Sequence, residues 1–187
     1  MPSPSPRQDV AKVLATEEEL DAAVCRLAAE ITADYQDRRP VLVGVLVGSF
    51  VFLADLVRRL DFPLEVDFVA ASSYGQSTMP GELKLELDLH CEVAGRDVLV
   101  VDDILDTGRT LKRLVELLAE RGASSVRCCC ALDKPSRREV DFEADYVGLQ
   151  IPDHFVVGYG LDYACSYRNL PFVGVLREEL YRREAQR

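Results

Sequence analysis

VLVVDDILDTGRT, Val98 to Thr110, is the stretch from which the rest of this chain can be read. Its four apolar residues, Val98 to Val101, predict a strand buried on both faces, as in a parallel sheet. Two carboxylates follow at once, Asp102 and Asp103. A third, Asp106, opens a short turn of Thr107, Gly108, Arg109 and Thr110. Leu111, Leu114, Val115 and Leu118 then recur at helical spacing. Three acids, a small-residue turn and a helix N-terminus thus meet at the carboxyl end of one strand, the edge where open α/β sheets bind ligands. A turn feeding a helix holds phosphate through backbone N–H groups and hydroxyls. Carboxylates beside such a site point to sugar hydroxyls or a divalent metal, because bare acids repel phosphate. The plain alternative is a strand-turn-helix whose acids cap the helix and face water. The stretch contains neither G-x-x-x-x-G-K-[ST] nor G-x-G-x-x-G.

At 187 residues, the chain is expected to form one domain over residues 1–187 with a substantial core. The net charge of −10 disfavours a broad nucleic-acid surface, which needs basic patches, but leaves room for a local phosphate site. The six cysteines include no C-x-x-C pair, which argues against a zinc ribbon or redox motif. They read as small hydrophobes in a reducing compartment. The N-terminus carries no signal-peptide pattern and no apolar run reaches membrane-spanning length, so a cytoplasmic protein without a membrane partner is expected.

Residues 1–8, MPSPSPRQ, read as disordered. Val10 to Leu14 is a short strand candidate. Thr16 followed by Glu19 forms a capping box, and Leu20, Val24, Leu27 and Ile31 make a helical stripe. Val41 to Val47, VLVGVLV, is a second central strand that runs through Gly48-Ser49 into the helix FVFLADLVRRL. A second turn is therefore expected at the same sheet edge, either as a binding loop or as a tight bend that Gly48 permits. Leu64 to Ala70 alternates as a strand. Ser72 to Gly81 is small and polar, and reads as a lid or as a plain hairpin loop. Leu83, Leu85, Leu87 and Leu89 alternate with charged residues in a half-buried strand. His90 reads as a turn residue. Gly122 suits a helix C-cap. Strands are expected over Ser124–Leu132, Tyr146–Ile151, Phe155–Val157 and Val173–Leu176, and the tail REELYRREAQR as a solvated polar helix. No repeat or linker divides the chain.

VLVVDDILDTGRT is similar to the phosphoribosyl pyrophosphate signature of type I phosphoribosyltransferases. Together with LDKPSRR and IPDHFVVGYGLDY it resembles the hypoxanthine-guanine phosphoribosyltransferases, over roughly Val41 to Leu176. The resemblance implies an α/β fold of type I phosphoribosyltransferase kind: a mainly parallel sheet flanked by helices, with a small hood region. It implies purine salvage, with transfer of 5-phosphoribosyl onto N9 of hypoxanthine or guanine to give IMP or GMP and pyrophosphate, and with Mg²⁺ as the metal. By position, Asp102 and Asp103 match the acidic pair at the ribose hydroxyls and metal, with Asp162 as a further metal residue. Asp102 is one methylene shorter than the Glu common there. Asp106 matches the acid near purine N7, the catalytic candidate. Asp106, Thr107, Gly108, Arg109 and Thr110 match the 5′-phosphate loop. Val47, Gly48, Ser49 and Arg168 match the pyrophosphate site, where Val47 replaces the usual Lys or Arg. Ile104, Lys134, Phe155, Val156 and Asp162 match the purine site. Ser73 and Tyr74 match a mobile lid over residues 72–84. The family's habit implies a homodimer or homotetramer.

Bland alternatives stand beside two of these assignments: Lys134 as a solvated loop cation and Arg168 as an ordinary surface Arg. The competing functions are a phosphoribosyl pyrophosphate-sensing regulator that binds RNA or DNA, and a phosphoribosyltransferase preferring xanthine or a pyrimidine. A regulator should carry a basic face or an added DNA-binding segment, and neither is visible in this acidic chain.

Overall fold

The two unbroken apolar runs of the sequence lie side by side in the middle of one sheet. A computed structural model describes residues 5–72 and 84–181. In chain order its elements are β1 (Val10–Ala15), α1 (Glu17–Tyr35), β2 (Val41–Leu46), α2 (Phe50–Val57), β3 (Glu65–Ser72), β4 (Lys84–Leu87), β5 (Asp97–Leu105), α3 (Arg109–Glu120), β6 (Ser125–Asp133), β7 (Tyr146–Gln150), β8 (Val156–Val157), β9 (Val173–Leu176) and α4 (Glu178–Tyr181). Short 3₁₀ turns occupy Pro6–Asp9 and Pro135–Arg137. Residues 6–8, expected within a disordered run, are therefore ordered. Ser5 caps the first turn, and the Asp9 carbonyl accepts from Arg177 N–H.

The larger sheet runs β4-β3-β2-β5-β6-β7, parallel throughout except for β4. Val41 pairs with Val98, and Val101 with Cys129, so β2, β5 and β6 end along one edge. The turns that follow them, near residues 47–49, 106–108 and 134–138, all emerge there. Alternation along the strands divides the core. Leu42, Leu99, Val101 and Cys129 face the cluster that contains α1 and α2. Val41, Val43, Val98, Val100, Cys128 and Cys130 face the cluster that contains α3. The three adjacent cysteines of β6 are all buried, the bland role expected of them.

The helices form where their sequences predict. Thr16 accepts from Glu19 N–H at 3.2 Å and Glu19 accepts from Thr16 N–H at 2.8 Å, which closes the capping box of α1. Leu111, Leu114 and Leu118 are buried along α3, and burying each such leucine contributes roughly 1.5–3 kcal/mol. Gly122 follows α3 at φ +85°, a left-handed position that glycine adopts without a side-chain clash.

A second, antiparallel sheet of order β1-β9-β8 joins the two ends of the chain. Val156 and Val173 face inward to the main core, while Val157, Leu170, Phe172 and Leu176 form a separate outer cluster. This small sheet is the hood. Its strands come from Val10–Ala15, Val156–Val157 and Val173–Leu176, and residues 73–83 of the expected lid lie outside the described residues. The tail is also not simply a solvated face, since Leu180 and Tyr181 of α4 pack against the outer cluster.

Asp67 on β3 anchors the connection that returns the chain to β5. Its carboxylate accepts from Phe68, His90 and Cys91 N–H groups at 2.7–2.8 Å. Burial pushes its pKa up, but the bonds from Cys91, Phe68 and His90 outweigh this and bring it down to about 2. The His90 ring is exposed at the turn, with Nδ1 3.4 Å from Asp67. A folded-state pKa below the unfolded one gives stability that is complete above about pH 4 and is lost as pH falls toward 2. Asp67→Asn should therefore lower stability by about 1–2 kcal/mol at pH 7 and by much less near pH 2, read by urea titration at both values. An equal loss at both pH values would mean that the charge is not what holds the turn.

Candidate active site

The turn after β5 is shaped to receive an anion. Gly108 stands at the N-cap of α3 with φ +83° and has no side chain with which to cap the helix. A Cβ on Gly108 would come within 3.0 Å of Arg138 and 3.1 Å of Val140. Uncapped first-turn amides at a helix N-terminus attract phosphate. Thr107 Oγ1 accepts from Arg109 N–H at 3.4 Å. The Arg109 guanidinium reaches out to Glu139 at 2.7 Å, so this residue offers the turn mainly its backbone.

The acidic pair sits beside this turn. Asp103 N–H donates to Asp102 Oδ1 at 2.9 Å. Both groups are half-buried, and burial raises the pKa of each. The negative charge of Asp103 raises Asp102 further, while hydrogen bonds from Asp102 and from Ile104 N–H, and then the charge of Arg168, draw Asp103 partly back down. Asp103 packs so closely on Gly48 that a Cβ there would lie 1.7 Å from its Oδ2. Gly160, at φ +100°, approaches the same glycine from the hood, where a Cβ would lie 2.0 Å from Gly48 O. Segments far apart in sequence thus meet at Gly48. Arg168 completes the corner, donating to Gly160 O at 2.6 Å and pairing with Asp162 at 2.8 Å.

Two adjacent carboxylates with raised pKa form a donor set short of positive charge. That chemistry suits Mg²⁺, which takes one or two carboxylates and fills its remaining positions with water and substrate oxygens. The three acids expected at the metal do not form one cage, however. Asp162 is held by Arg168 and by Cys165 N–H at 2.9 Å, and no metal-binding cluster of three such side chains occurs among the described residues.

The turn after β6 lies next to that after β5. Lys134 N–H donates to Leu105 O at 2.9 Å. Its side chain is only 6% exposed, and its ammonium donates to His154 O at 2.7 Å. Lys134 is therefore not a solvated loop cation. Phe155 follows His154 and is 41% exposed, with its ring stacked on Tyr181. Val156 is buried beside it, and Ile104 packs on the main core. Asp106 is half-exposed and pairs with Arg137 at 3.1 Å. Arg138 pins the neighbouring backbone by donating to Asp106 O and Leu105 O, and it pairs with Asp133.

The turn after β2 differs from expectation. Ser49 is fully buried, and its hydroxyl donates inward to Val45 O at 2.7 Å. The hydroxyl meets a carbonyl of β2 and is not presented at the edge. What the turn presents is backbone and the exposed side chain of Val47. Ser73 and Tyr74 lie outside the described residues. Four residues that the site assignments left out make contacts here: Arg137, Arg138, Gly160 and Tyr181. The double Arg of DKPSRR was a visible signal. The contacts of Gly160 and Tyr181 join segments remote in sequence.

A parallel sheet whose edge gathers an uncapped helix N-terminus, paired acids and a buried lysine defines a class: α/β proteins that bind a phosphorylated sugar beside a second ligand. The phosphoribosyl transferase domain profile matches residues 12–164, and the chain belongs to that family. It is 51% identical over 176 residues to the hypoxanthine-guanine phosphoribosyltransferase of Bacillus subtilis, covering 94% of this chain and 98% of the relative. It is 49% identical over 174 residues to the Streptococcus agalactiae enzyme of the same name, covering 92% and 97%. A hypoxanthine phosphoribosyltransferase structure from Staphylococcus aureus superposes with a TM-score of 0.91 at 46% identity, covering 97% of this chain and 99% of that one.

The Gly48–Gly160 approach makes a direct test of this corner. Gly160→Ala would add a Cβ against a backbone carbonyl at a left-handed position, which costs roughly 1–2 kcal/mol in conformation before the clash is counted. The variant should melt several degrees lower, and its kcat/KM should fall at least tenfold as hood and turn separate. Parent-like values of both would show that the approach is not needed.

Proposed function

We infer that the protein transfers a 5-phosphoribosyl group from phosphoribosyl pyrophosphate to N9 of hypoxanthine or guanine, a purine-salvage reaction that releases pyrophosphate. The observation that carries this reading is the buried Lys134 ammonium, one turn from the uncapped α3 N-terminus and tied to the loop bearing Phe155. A phosphate site and a dry, carbonyl-seeking donor on one sheet edge suit a phosphorylated sugar beside a 6-oxopurine. The relatives at 49–51% identity are named for this activity.

In this reading the purine N9 forms a bond to C1 of the sugar as the C1–oxygen bond to pyrophosphate breaks. The sugar gains oxocarbenium character, and the purine gives up a proton. Asp106 accepts that proton near N7 and so keeps positive charge off the forming nucleotide. Thr107, Gly108, Arg109 and Thr110 hold the 5′-phosphate through the start of α3. Asp102 and Asp103 accept from the ribose 2′- and 3′-hydroxyls and would hold Mg²⁺, which when bound neutralises charge on the pyrophosphate. Arg168 and the Val47–Gly48 backbone face the leaving group. Phe155 and Ile104 cover the two faces of the base, with Val156 and Asp162 at its edge. Closure of residues 72–84, with Ser73 and Tyr74, excludes water. A cytoplasmic homodimer or homotetramer with one domain per chain completes the proposal. No described helix is long and apolar enough to cross a membrane.

Incubation with phosphoribosyl pyrophosphate, Mg²⁺ and a panel of hypoxanthine, guanine, xanthine, adenine and uracil tests the reading. Pyrophosphate release should require Mg²⁺ and be fastest with hypoxanthine or guanine. No turnover with any base, together with tight RNA or DNA binding, would favour a sensing regulator. Asp106→Asn should lower kcat by about 10²–10⁴-fold and leave phosphoribosyl pyrophosphate binding nearly intact. Unchanged kcat would remove Asp106 from the chemistry.

Base choice should follow from Lys134. An ammonium has three donors and no acceptor, and His154 O takes one of them. A 6-carbonyl accepts another, whereas the amino group of adenine sets donor against donor and leaves the ammonium unsatisfied. Discrimination against adenine should reach about 10⁴-fold. Competition between hypoxanthine and adenine should show Lys134→Met losing kcat/KM for hypoxanthine by two or more orders of magnitude. An unchanged preference would end the assignment.

A further inference from the structure

We propose that Tyr181 is a positioning residue for the purine site: its ring backs Phe155 from the hood side and holds the opposite face of Phe155 toward the base. The proposal rests on the reading above, in which Phe155 stacks on the purine. The centroids of Phe155 and Tyr181 are 4.9 Å apart with ring planes 28° from parallel, a stacked arrangement. Tyr163 meets Phe155 edge-on at 5.7 Å and 88°. Two contacts at right angles fix both the position and the tilt of one ring.

Phe155 needs such support. It precedes β8 in a loop, is 41% exposed, and its backbone is tied to the hood through Leu176 N–H at 3.1 Å. An exposed aromatic on one backbone tether samples several rotamers, and freezing it on ligand binding lowers affinity. A ring already stacked on a neighbour has lost that freedom beforehand.

The two faces of the hood say on which side Tyr181 lies. Val156 and Val173 point inward to the main core, in the same packed cluster as Ile104. Val157, Leu170, Phe172 and Leu176 point outward, and Tyr163, Leu180 and Tyr181 pack against those residues. A base held between Phe155 and Ile104 occupies the inward side, so Tyr181 covers the outward face and does not fill the base slot. The order of the stack is then Tyr181, Phe155, base, Ile104. Tyr181 does not touch the base and acts through Phe155.

The test measures KM for hypoxanthine and for phosphoribosyl pyrophosphate separately in the parent, Tyr181→Ala, Tyr181→Leu, Tyr181→Phe and Phe155→Ala. Tyr181→Leu keeps the apolar packing of α4 while removing the ring, so it reports on stacking even if the alanine variant loosens the tail. Tyr181→Ala and Tyr181→Leu should raise KM for hypoxanthine about three- to tenfold, the scale of one aromatic pair, with KM for phosphoribosyl pyrophosphate within about twofold. Tyr181→Phe should match the parent. If Phe155→Ala leaves the hypoxanthine KM unchanged, base stacking itself fails and the proposal falls with it. If Phe155→Ala raises that KM but the Ala and Leu variants at Tyr181 do not, the backing role is overturned while the stacking role stands. A lowered hypoxanthine KM in those Tyr181 variants would make the ring a plug and overturn the proposal.

Discussion

Two carboxylates placed side by side and half-buried at the end of a strand are costly, and the site is built around that cost. Burial disfavours the charge on Asp102 and on Asp103, and the charge of Asp103 disfavours that of Asp102 further. Only part of this is offset within the chain. Asp103 N–H serves Asp102, and Arg168 lowers the pKa of Asp103. The remainder is a standing demand for hydroxyl donors or positive charge. A sugar diol or a divalent cation satisfies it, and binding energy is drawn to the position where the ribose would sit. The parallel register of β2, β5 and β6 makes the demand useful, because it sets the acids between two turns that offer backbone donors.

Holding those turns together requires backbone strain on the hood side. Tyr159, Ala164, Cys165 and Tyr167 have positive φ, as do Gly158 and Gly160. Non-glycine residues in that region cost roughly 1–2 kcal/mol each, so the surroundings must over-determine them. Tyr159 donates its hydroxyl to Asp55 at 2.9 Å and Tyr167 donates to Asp9 at 2.9 Å. These bonds tie the strained segment to α2 and to the first turn of the chain. The segment leads into Arg168, whose charge acts on Asp103 and which pairs with Asp162, so the strain helps to place a cation beside the acid pair.

The frame was readable from sequence because it rests on local signals. Apolar runs gave β2 and β5, a capping box gave α1, and leucine spacing gave α3. The turn after β5 and the acid pair belong to one contiguous stretch and were equally legible. What the sequence hid depends on contacts between distant segments. The hood joins Val10–Ala15 to Val173–Leu176, and pairing of such distant strands leaves no periodic trace. Ser49 reads as a polar turn residue, yet its hydroxyl turns inward because Val45 O is within reach. For Lys134 the sequence left a solvated loop cation open beside the purine-site assignment, because its burial and its bond to His154 O depend on a loop twenty residues away. Tyr181 sits in a charged tail, and its partner Phe155 is 26 residues earlier.

The Val47 turn carries a consequence for how charge is handled. With an apolar side chain at Val47 and the Ser49 hydroxyl turned inward, this turn can offer a leaving pyrophosphate only backbone donors. Among the described residues at this corner the cation is Arg168, and its guanidinium is already divided between Asp162 and Gly160 O. A guanidinium with two acceptors retains some of its five donors but has part of its charge compensated. A multiply charged leaving group beside Asp102 and Asp103 would therefore meet net repulsion from the chain alone. In the proposed reaction the balance would come from a divalent cation, and Asp102 and Asp103 are the residues that would hold it. In that reading the apolar Val47 and the under-compensated acid pair are two aspects of one arrangement, in which the chain would supply the carboxylates and the bound cation the positive charge.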